Sequence, residues 1–135
     1  MIRVEDVRKS YSRNGIKFNA LDSIKLSFPD HGFFSVEGES GAGKSTLLNI
    51  LALLDEPAEG KIYYGDVLVS KKNATELRSR YISFVPQEGG LIEDLTVEQN
   101  LLFLTSDNAL IREVLKKVDV EGKIAAKVAK SLSHL

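Results

Sequence analysis

The sequence predicts a mixed α and β fold, and three observations carry that prediction. Apolar and polar residues alternate over residues 1–28, as they do in half-buried antiparallel strands. A glycine-rich stretch, residues 38–43, lies between a short β-prone run and a strongly apolar run with helical character. From Thr96 onward the pattern is helical. A β-rich first half followed by a helical second half indicates an α/β protein rather than an all-β one.

Six predicted strands, four of them in two hairpins, account for the β-rich half. The alternation predicts two strands separated by a polar loop at Ser12–Lys17, centred on Asn14-Gly15. The run "GKIYYGDVLVS" predicts a second hairpin, with its turn at Gly65-Asp66. Aromatic and β-branched residues make "FFSVEG" (33–38) and "YISFVP" (81–86) the two further predicted strands.

The helix after the glycine-rich stretch is predicted over Ser45–Leu54. Because it is apolar almost all round, we expect it to lie in a core rather than on a surface. Pro57 is expected to end it, since proline disfavours helical geometry in the residue before it. A short polar helix is predicted over Thr75–Arg80.

Helix-capping residues mark the second half of the chain. The runs "TVEQNLLFL", "DNALIREVLKKV" and "EGKIAAKVAKSL" predict three helices, the first two with Thr96 and Asp107 as N-caps. Thr96 followed three positions later by Gln99 matches a capping box.

Composition excludes several classes of protein. Eighteen basic and nineteen acidic residues give a net charge of −1, which argues against a nucleic-acid partner. The chain has no cysteine, so disulfides and thiolate metal sites are excluded. Its longest mostly apolar run, "LLNILALL", is far shorter than the ~20 residues that span a bilayer. We expect a soluble chain, with docking onto a membrane protein left open.

Residues 38–45, "GESGAGKS", match the phosphate-loop pattern G-x-x-x-x-G-K-[ST] in full. Glycine lets the backbone pass close to a polyphosphate, and the following helix directs its unpaired N–H groups at the anion. The pattern predicts that Lys44 bridges the β- and γ-phosphates and that Ser45 ligates Mg²⁺. The predicted nucleotide-binding residues of this stretch are Gly38, Ser40, Gly41, Ala42, Gly43, Lys44, Ser45 and Thr46.

The wider run "GESGAGKSTLLNILALLDEPAEGKIYYGD" closely resembles the nucleotide-binding domain of ATP-binding cassette (ABC) transporters, and the resemblance extends through essentially all 135 residues. It places the family's Pro-x-x-Gly turn at Pro57–Gly60. It implies a partial P-loop NTPase core of the ABC type, with an antiparallel β-subdomain and the start of a helical subdomain. We expect the ATP-binding core in residues 1–90 and the beginning of the helical subdomain in 91–135.

Two further residues have roles that only this resemblance implies. Tyr11, in "VRKSYS", matches the aromatic residue whose ring stacks on adenine in the family. Gln87, in "ISFVPQEGG", matches the glutamine whose amide reaches Mg²⁺ and the attacking water, in a loop that meets the membrane-spanning partner. Lys44 and Gln87 are therefore the predicted catalytic residues, Ser45 and Gln87 the predicted metal ligands, and ATP and Mg²⁺ the predicted cofactors.

The resemblance also implies partners and a location. ABC ATPase subunits couple ATP binding and hydrolysis to transport, working as a dimer of nucleotide-binding domains on a transmembrane permease. We therefore expect a permease and a second nucleotide-binding domain as partners, at the cytoplasmic face of a bacterial cell membrane. The runs "LLNILALLDEP" and "LIEDLTVEQNL" look most like the bacterial group that exports peptides, macrolides or lipoproteins.

Elements of the family that lie nearer its C-terminus are not recognisable here. The family's signature begins Leu-Ser-Gly-Gly, and either Leu132-Ser133 is a degenerate version or Leu135 is its first residue; Ser133-His134 favours the second interpretation. No apolar strand ending in Asp-Glu follows to supply the metal-supporting carboxylate and the general base. We therefore expect an N-terminal portion of a longer protein, unable to hydrolyse ATP alone.

Three alternatives remain open from the residues. A phosphate-loop kinase explains residues 38–45 but not Gln87 in its context. A soluble ABC-type ATPase acting on ribosomes or DNA explains both, although the near-neutral charge argues mildly against it. The third is an assembly module that binds no ATP.

Overall fold

The computed structural model describes residues 1–87, 90–92 and 94–117. The chain divides into two compact units, Met1–Phe84 and Val85–Leu135. The predicted helix "EGKIAAKVAKSL" and the residues around Leu132 lie outside the described residues. Among the helices that the structure describes, none has the length and apolar character needed to cross a membrane.

The first unit is built on a four-stranded antiparallel sheet with the strand order β2-β1-β3-β4. Two helices, α1 and α2, belong to the same unit. The elements are β1 (Ile2–Arg13), β2 (Ile16–Phe28), α1 (Lys44–Leu51), β3 (Glu59–Tyr64), β4 (Val67–Leu68) and α2 (Ala74–Tyr81). Both predicted hairpins are therefore confirmed, as is the short helix predicted near residue 75.

The first hairpin turn is tighter than the predicted loop Ser12–Lys17. Pairing continues to Arg13 and Ile16, so only Asn14 and Gly15 connect the strands. Both have positive φ angles, 52° and 78°. Positive φ at both central residues gives a turn whose twist matches that of the strands, and this explains why the strands extend into the predicted loop.

A bulge in β1 allows Val4 and Val7 to face the same core although they are three residues apart. Asp6, between them, has a φ of 48°, and the register shifts at this point against both neighbouring strands. Side chains three residues apart in a regular strand point to opposite faces of the sheet. One extra residue in the strand brings the second side chain back to the same face as the first. The core of this unit consists of the buried side chains of Val4, Val7, Leu21, Leu47, Ile50 and Ile62.

The strands predicted at 33–38 and 81–86 were wrong. Residues 32–39 form no strand ladder, Tyr81 ends α2, and residues 82–86 are likewise unpaired in the structure. The backbone at Ile82 is nevertheless extended, with φ −125° and ψ 129°. Local β preference makes a segment extended, but a strand also needs a neighbour that supplies ladder hydrogen bonds, and the described residues provide none.

Helix α1 ends earlier than predicted, at Leu51 rather than Leu54, and before Pro57 acts on it. Leu53 has a positive φ of 56°, and the Arg78 side chain donates a 2.7 Å hydrogen bond to its carbonyl oxygen. Such a left-handed residue just beyond a helix is a common helix stop. The helix is also less enclosed than predicted, because Leu47 and Ile50 are buried while Leu48 is 45% exposed.

The described part of the second unit contains α3 (Val97–Leu102) and α4 (Asn108–Lys117). The predicted capping box is confirmed, since Thr96 and Gln99 each accept the other's backbone N–H through their side chains. The Asp107 carboxylate accepts the N–H groups of Ala109 and Leu110 at 2.9 and 3.1 Å, which confirms the second predicted cap. The division of function predicted at residue 90 stays a prediction.

Candidate nucleotide site

The phosphate-loop residues lead directly into α1. A tight turn closes the loop, in which the Ala42 N–H donates to the Glu39 carbonyl at 3.2 Å. Helix α1 begins at Lys44, and its N-cap, Gly43, has no side chain to cap it. The first intrahelical bond runs from the Leu47 N–H to the Gly43 carbonyl at 2.9 Å. The N–H groups of the first turn therefore have no acceptor inside the helix and are suited to an anion.

Gly43 is required where the loop packs on β2. Its φ is 89°, in the left-handed region, and a Cβ at this position would lie 2.3 Å from the backbone oxygen of Ala20. No side chain fits at that distance. The glycine thus joins the loop closely to the sheet and sets the direction in which α1 begins.

The Lys44 side chain folds back over the start of the loop. Its ammonium donates to the carbonyl oxygens of Gly38 at 2.8 Å and Glu39 at 2.7 Å. Both bonds are exposed. A phosphate oxygen is a stronger partner for an ammonium than a neutral carbonyl, because both groups are then charged. The cation is therefore held at the loop by contacts that an anion can replace.

The polar side chains of the loop and of the first helical turn are accessible. Ser40 and Ser45 are exposed, and Thr46 is half-buried. Serine hydroxyl oxygens are suitable ligands for Mg²⁺, which typically takes only one or two protein ligands beside phosphate oxygens and water. Ser45 fits that requirement.

Tyr11 lies near the end of β1, and its hydroxyl contacts the segment that follows α1. The phenol donates a 2.8 Å hydrogen bond to Oδ2 of Asp55, and the Thr46 hydroxyl is a second polar neighbour. The ring centroid lies 5.9 Å from that of Phe18, at an interplanar angle of 40°. Burial raises the pKa of the Tyr11 phenol, and the Asp55 carboxylate raises it further.

Asp55 and Lys9 complete this contact, and neither residue was predicted from the sequence. The Lys9 ammonium donates to Oδ1 of Asp55 at 2.6 Å and to the carbonyl oxygen of Glu56 at 2.7 Å. Burial alone raises the pKa of the Asp55 carboxyl, but hydrogen bonds from Lys9, Tyr11 and the Glu56 N–H outweigh it and lower this pKa below its ordinary value. Side chains 44 residues apart along the chain follow no periodic pattern that would predict their pairing.

Gln87 belongs to the second unit, where it follows Pro86 with its side chain exposed. Its predicted contact with Mg²⁺ and water stays a prediction. Within the part of the chain that the structure describes, no group of three or more His, Cys, Asp or Glu side chains is arranged to hold a metal ion.

One cavity of the first unit lies away from the phosphate loop. It has a volume of about 510 Å³ and opens between the segment after α1, the β3–β4 hairpin and α2. Leu53, Ile62, Val69 and Arg78 are among its lining residues. None of the predicted nucleotide-binding residues lines this cavity. The predicted anion site therefore remains the open surface of the phosphate loop.

A family model described as "ABC transporter" matches residues 21–135. The chain belongs to the ABC transporter family. The resemblance carried by residues 38–66 is thereby confirmed.

Curated ABC relatives agree with this assignment. The methionine import ATP-binding protein MetN of Francisella tularensis is 31% identical over 119 residues, covering 87% of this chain and 34% of MetN. The uncharacterized ABC transporter ATP-binding protein MJ1508 of Methanocaldococcus jannaschii is 39% identical over 104 residues, covering 75% and 46%. The chain thus spans between a third and a half of these relatives. The likeness to the export group is not confirmed, since an import protein is among them.

Solved ABC cassettes share the fold. A dimeric, post-hydrolysis structure of the cassette MJ0796, bound to ADP and Pi, superposes with a TM-score of 0.75 at 32% identity. The match covers 93% of this chain and 60% of MJ0796. A second dimeric structure of the same cassette gives a TM-score of 0.76 at 33% identity. The predicted ABC-type P-loop architecture, as a partial domain with an antiparallel sheet, is therefore confirmed.

Proposed function

We propose that this chain is the ATP-binding portion of an ABC transporter ATPase subunit. The observation that carries the proposal is the phosphate loop of residues 38–45, which leads into the uncapped N-terminus of α1 with Lys44 folded over it. Backbone N–H groups, a helix N-terminus and a lysine ammonium together make a site for a polyphosphate. Because the chain belongs to the ABC transporter family, the nucleotide that we propose is ATP.

Each group of residues binds a different part of the nucleotide. The loop from Gly38 to Gly43 wraps the phosphates with its backbone, Lys44 neutralises the β- and γ-phosphates, and Thr46 lies on the α-phosphate side. Ser45 offers its hydroxyl oxygen to Mg²⁺, which would screen the charge of the phosphates when bound. Tyr11 contacts the adenine ring, and the side-chain amide of Gln87 would contact Mg²⁺ and the attacking water.

In the whole protein, ATP binding and hydrolysis would drive transport. The partners that we propose are a transmembrane permease and a second nucleotide-binding domain, and the location is the cytoplasmic face of the cell membrane. The dimeric structures of MJ0796 support the second domain as a partner. The net charge of −1 supports the absence of a nucleic-acid partner.

Calorimetric titration with Mg-ATP tests the proposal. We expect the chain to bind Mg-ATP and Lys44→Ala to bind at least tenfold more weakly, because a charge-assisted contact to phosphate contributes about 1.5–3 kcal/mol. Lys72→Ala, which removes an exposed lysine just before α2, should bind as the wild type does. An assay of released phosphate should show no repeated turnover by the chain alone. Absence of binding, or equal binding by the Lys44 and Lys72 variants, would overturn the proposed site.

A further inference from the structure

Lys9, Tyr11 and Asp55 form a side-chain cluster that joins the end of β1 to the segment after α1. Both carboxylate oxygens of Asp55 are used. Oδ1 accepts the Lys9 ammonium at 2.6 Å and the Glu56 N–H at 2.7 Å, and Oδ2 accepts the Tyr11 hydroxyl at 2.8 Å. An acceptor held by two other donors is itself fixed in place. The Tyr11 hydroxyl therefore has a well-defined partner.

The cluster restrains the tyrosine ring as well as its hydroxyl. A tyrosine side chain has only two torsion angles, so fixing its outer end leaves the ring little freedom. The Phe18 ring lies 5.9 Å away, and the Lys9 ammonium lies 5.2 Å from the Tyr11 ring centroid. Tyr11 is thus held at its hydroxyl by Asp55 and beside its ring by Phe18 and Lys9.

The cluster also lies next to the phosphate loop. Thr46, in the first turn of α1, is a polar neighbour of the Tyr11 hydroxyl. A ring held here is close to the helix turn that receives the phosphates. A nucleotide bound by the loop would therefore have its base within reach of the ring.

We propose that Asp55 is a positioning residue, which orients the Tyr11 ring for contact with the base of the bound nucleotide. This inference rests on the proposed function. Asp55 acts through Tyr11 and touches neither phosphate nor metal. Its removal should therefore weaken the binding of ligands that carry a base and leave base-free polyphosphates unaffected.

Two ligands separate binding of the base from binding of the phosphates. They are Mg-ATP and Mg-tripolyphosphate, each titrated calorimetrically into the full chain. For Asp55→Asn we expect a threefold to tenfold loss of affinity for ATP, the size of one hydrogen-bond contribution of about 1 kcal/mol. Affinity for tripolyphosphate should not change. Tyr11→Phe, which keeps the ring but removes its hydroxyl, should give the same pattern. Asp66→Asn, the same chemical change at an exposed position in the β3–β4 turn, should alter neither affinity.

The double variant tests whether Asp55 acts through the Tyr11 hydroxyl. If it does, the variant that combines Asp55→Asn with Tyr11→Phe loses no more affinity for ATP than either single variant does. Additive losses, or equal losses for ATP and tripolyphosphate, would overturn the inference while leaving the proposed function intact. A wild-type chain that binds neither ligand would overturn both. Should Asp55→Asn not fold, Tyr11→Phe still decides, because an unchanged ratio of the two affinities contradicts the inference.

Discussion

The hydroxyl of Tyr64, the last residue of β3, donates a hydrogen bond to the backbone carbonyl oxygen of Leu51, the last residue of α1. Burial raises the pKa of this phenol from 10.0 to about 12. The folded state therefore holds the proton more tightly than the unfolded state does. The stability that this group contributes is complete below pH 10 and is lost as the pH rises through about 12.

Tyr64→Phe should remove this alkaline sensitivity. At pH 7 we expect the variant to be less stable by about 1 kcal/mol, because the Leu51 carbonyl loses its partner. Between pH 10 and about 12 the wild type should lose stability that the variant does not, because the phenol ionises at a lower pH in the unfolded chain than in the folded one. Urea unfolding followed by circular dichroism across this range measures the difference. Tyr81→Phe, at a position 60% exposed, is the control and should follow the wild type.

The second prediction concerns the contact between the phosphate loop and β2. Gly43→Ala should destabilise the chain more than Gly15→Ala. Both glycines have a positive φ, 89° and 78°, so both variants incur the left-handed penalty of about 1–2 kcal/mol. Only at position 43 does the new Cβ meet a backbone oxygen, whereas nothing lies within 4 Å at position 15. Urea midpoints of the two variants give the comparison, and equal losses would show that the close packing on Ala20 is not a constraint.

Features set by neighbouring residues could be predicted from the sequence. The Asn14-Gly15 turn, the hairpin at Gly65-Asp66 and the capping box of Thr96 each depend on a few adjacent side chains. The phosphate loop likewise has a local pattern. These elements formed as expected because their hydrogen bonds close within a few residues.

Features that depend on distant partners were missed or wrong. Residues 33–38 and 82–86 have β preference but gain no ladder, because pairing depends on what lies beside them. The bulge at Asp6 and the early end of α1 at Leu51 follow from packing against other elements. The contact between Tyr11 and Asp55 spans 44 residues. None of these leaves a periodic signal in the sequence.

The third prediction concerns acid stability. Since the pKa of Asp55 is lower in the folded state than its ordinary value of 3.8, its ion pair with Lys9 stabilises the fold above that value. This stability is lost as the pH falls through the lower, folded pKa. Asp55→Asn should therefore be less stable than the wild type at pH 7, with the difference shrinking below pH 4. Thermal unfolding at pH 7, 5 and 3 measures it, with Asp66→Asn as the control. A difference independent of pH would contradict the ion-pair explanation.

The last prediction concerns Asn100, whose buried side chain in α3 organises the segment before that helix. Its Oδ1 accepts the Ile92 N–H at 2.7 Å, and its Nδ2 donates to the carbonyl oxygens of Ile92 and Thr96, each at 3.0 Å. Asn100→Leu fills a similar volume but leaves the Ile92 N–H without its acceptor, at a cost of about 1–3 kcal/mol. The Ile92 and Thr96 carbonyls keep the backbone N–H donors of Leu95 and of residue 100.

The Ile92 amide reports this change directly. Its hydrogen-exchange protection should fall in Asn100→Leu, because a part-buried N–H loses its acceptor. Asn108→Leu is the matched control, since Asn108 is exposed at the start of α4. It should leave the exchange of Ile92 unchanged. Unchanged protection in Asn100→Leu would mean that apolar contacts alone hold this segment. The side-chain amide of Asn100 would then not be needed to protect the Ile92 N–H.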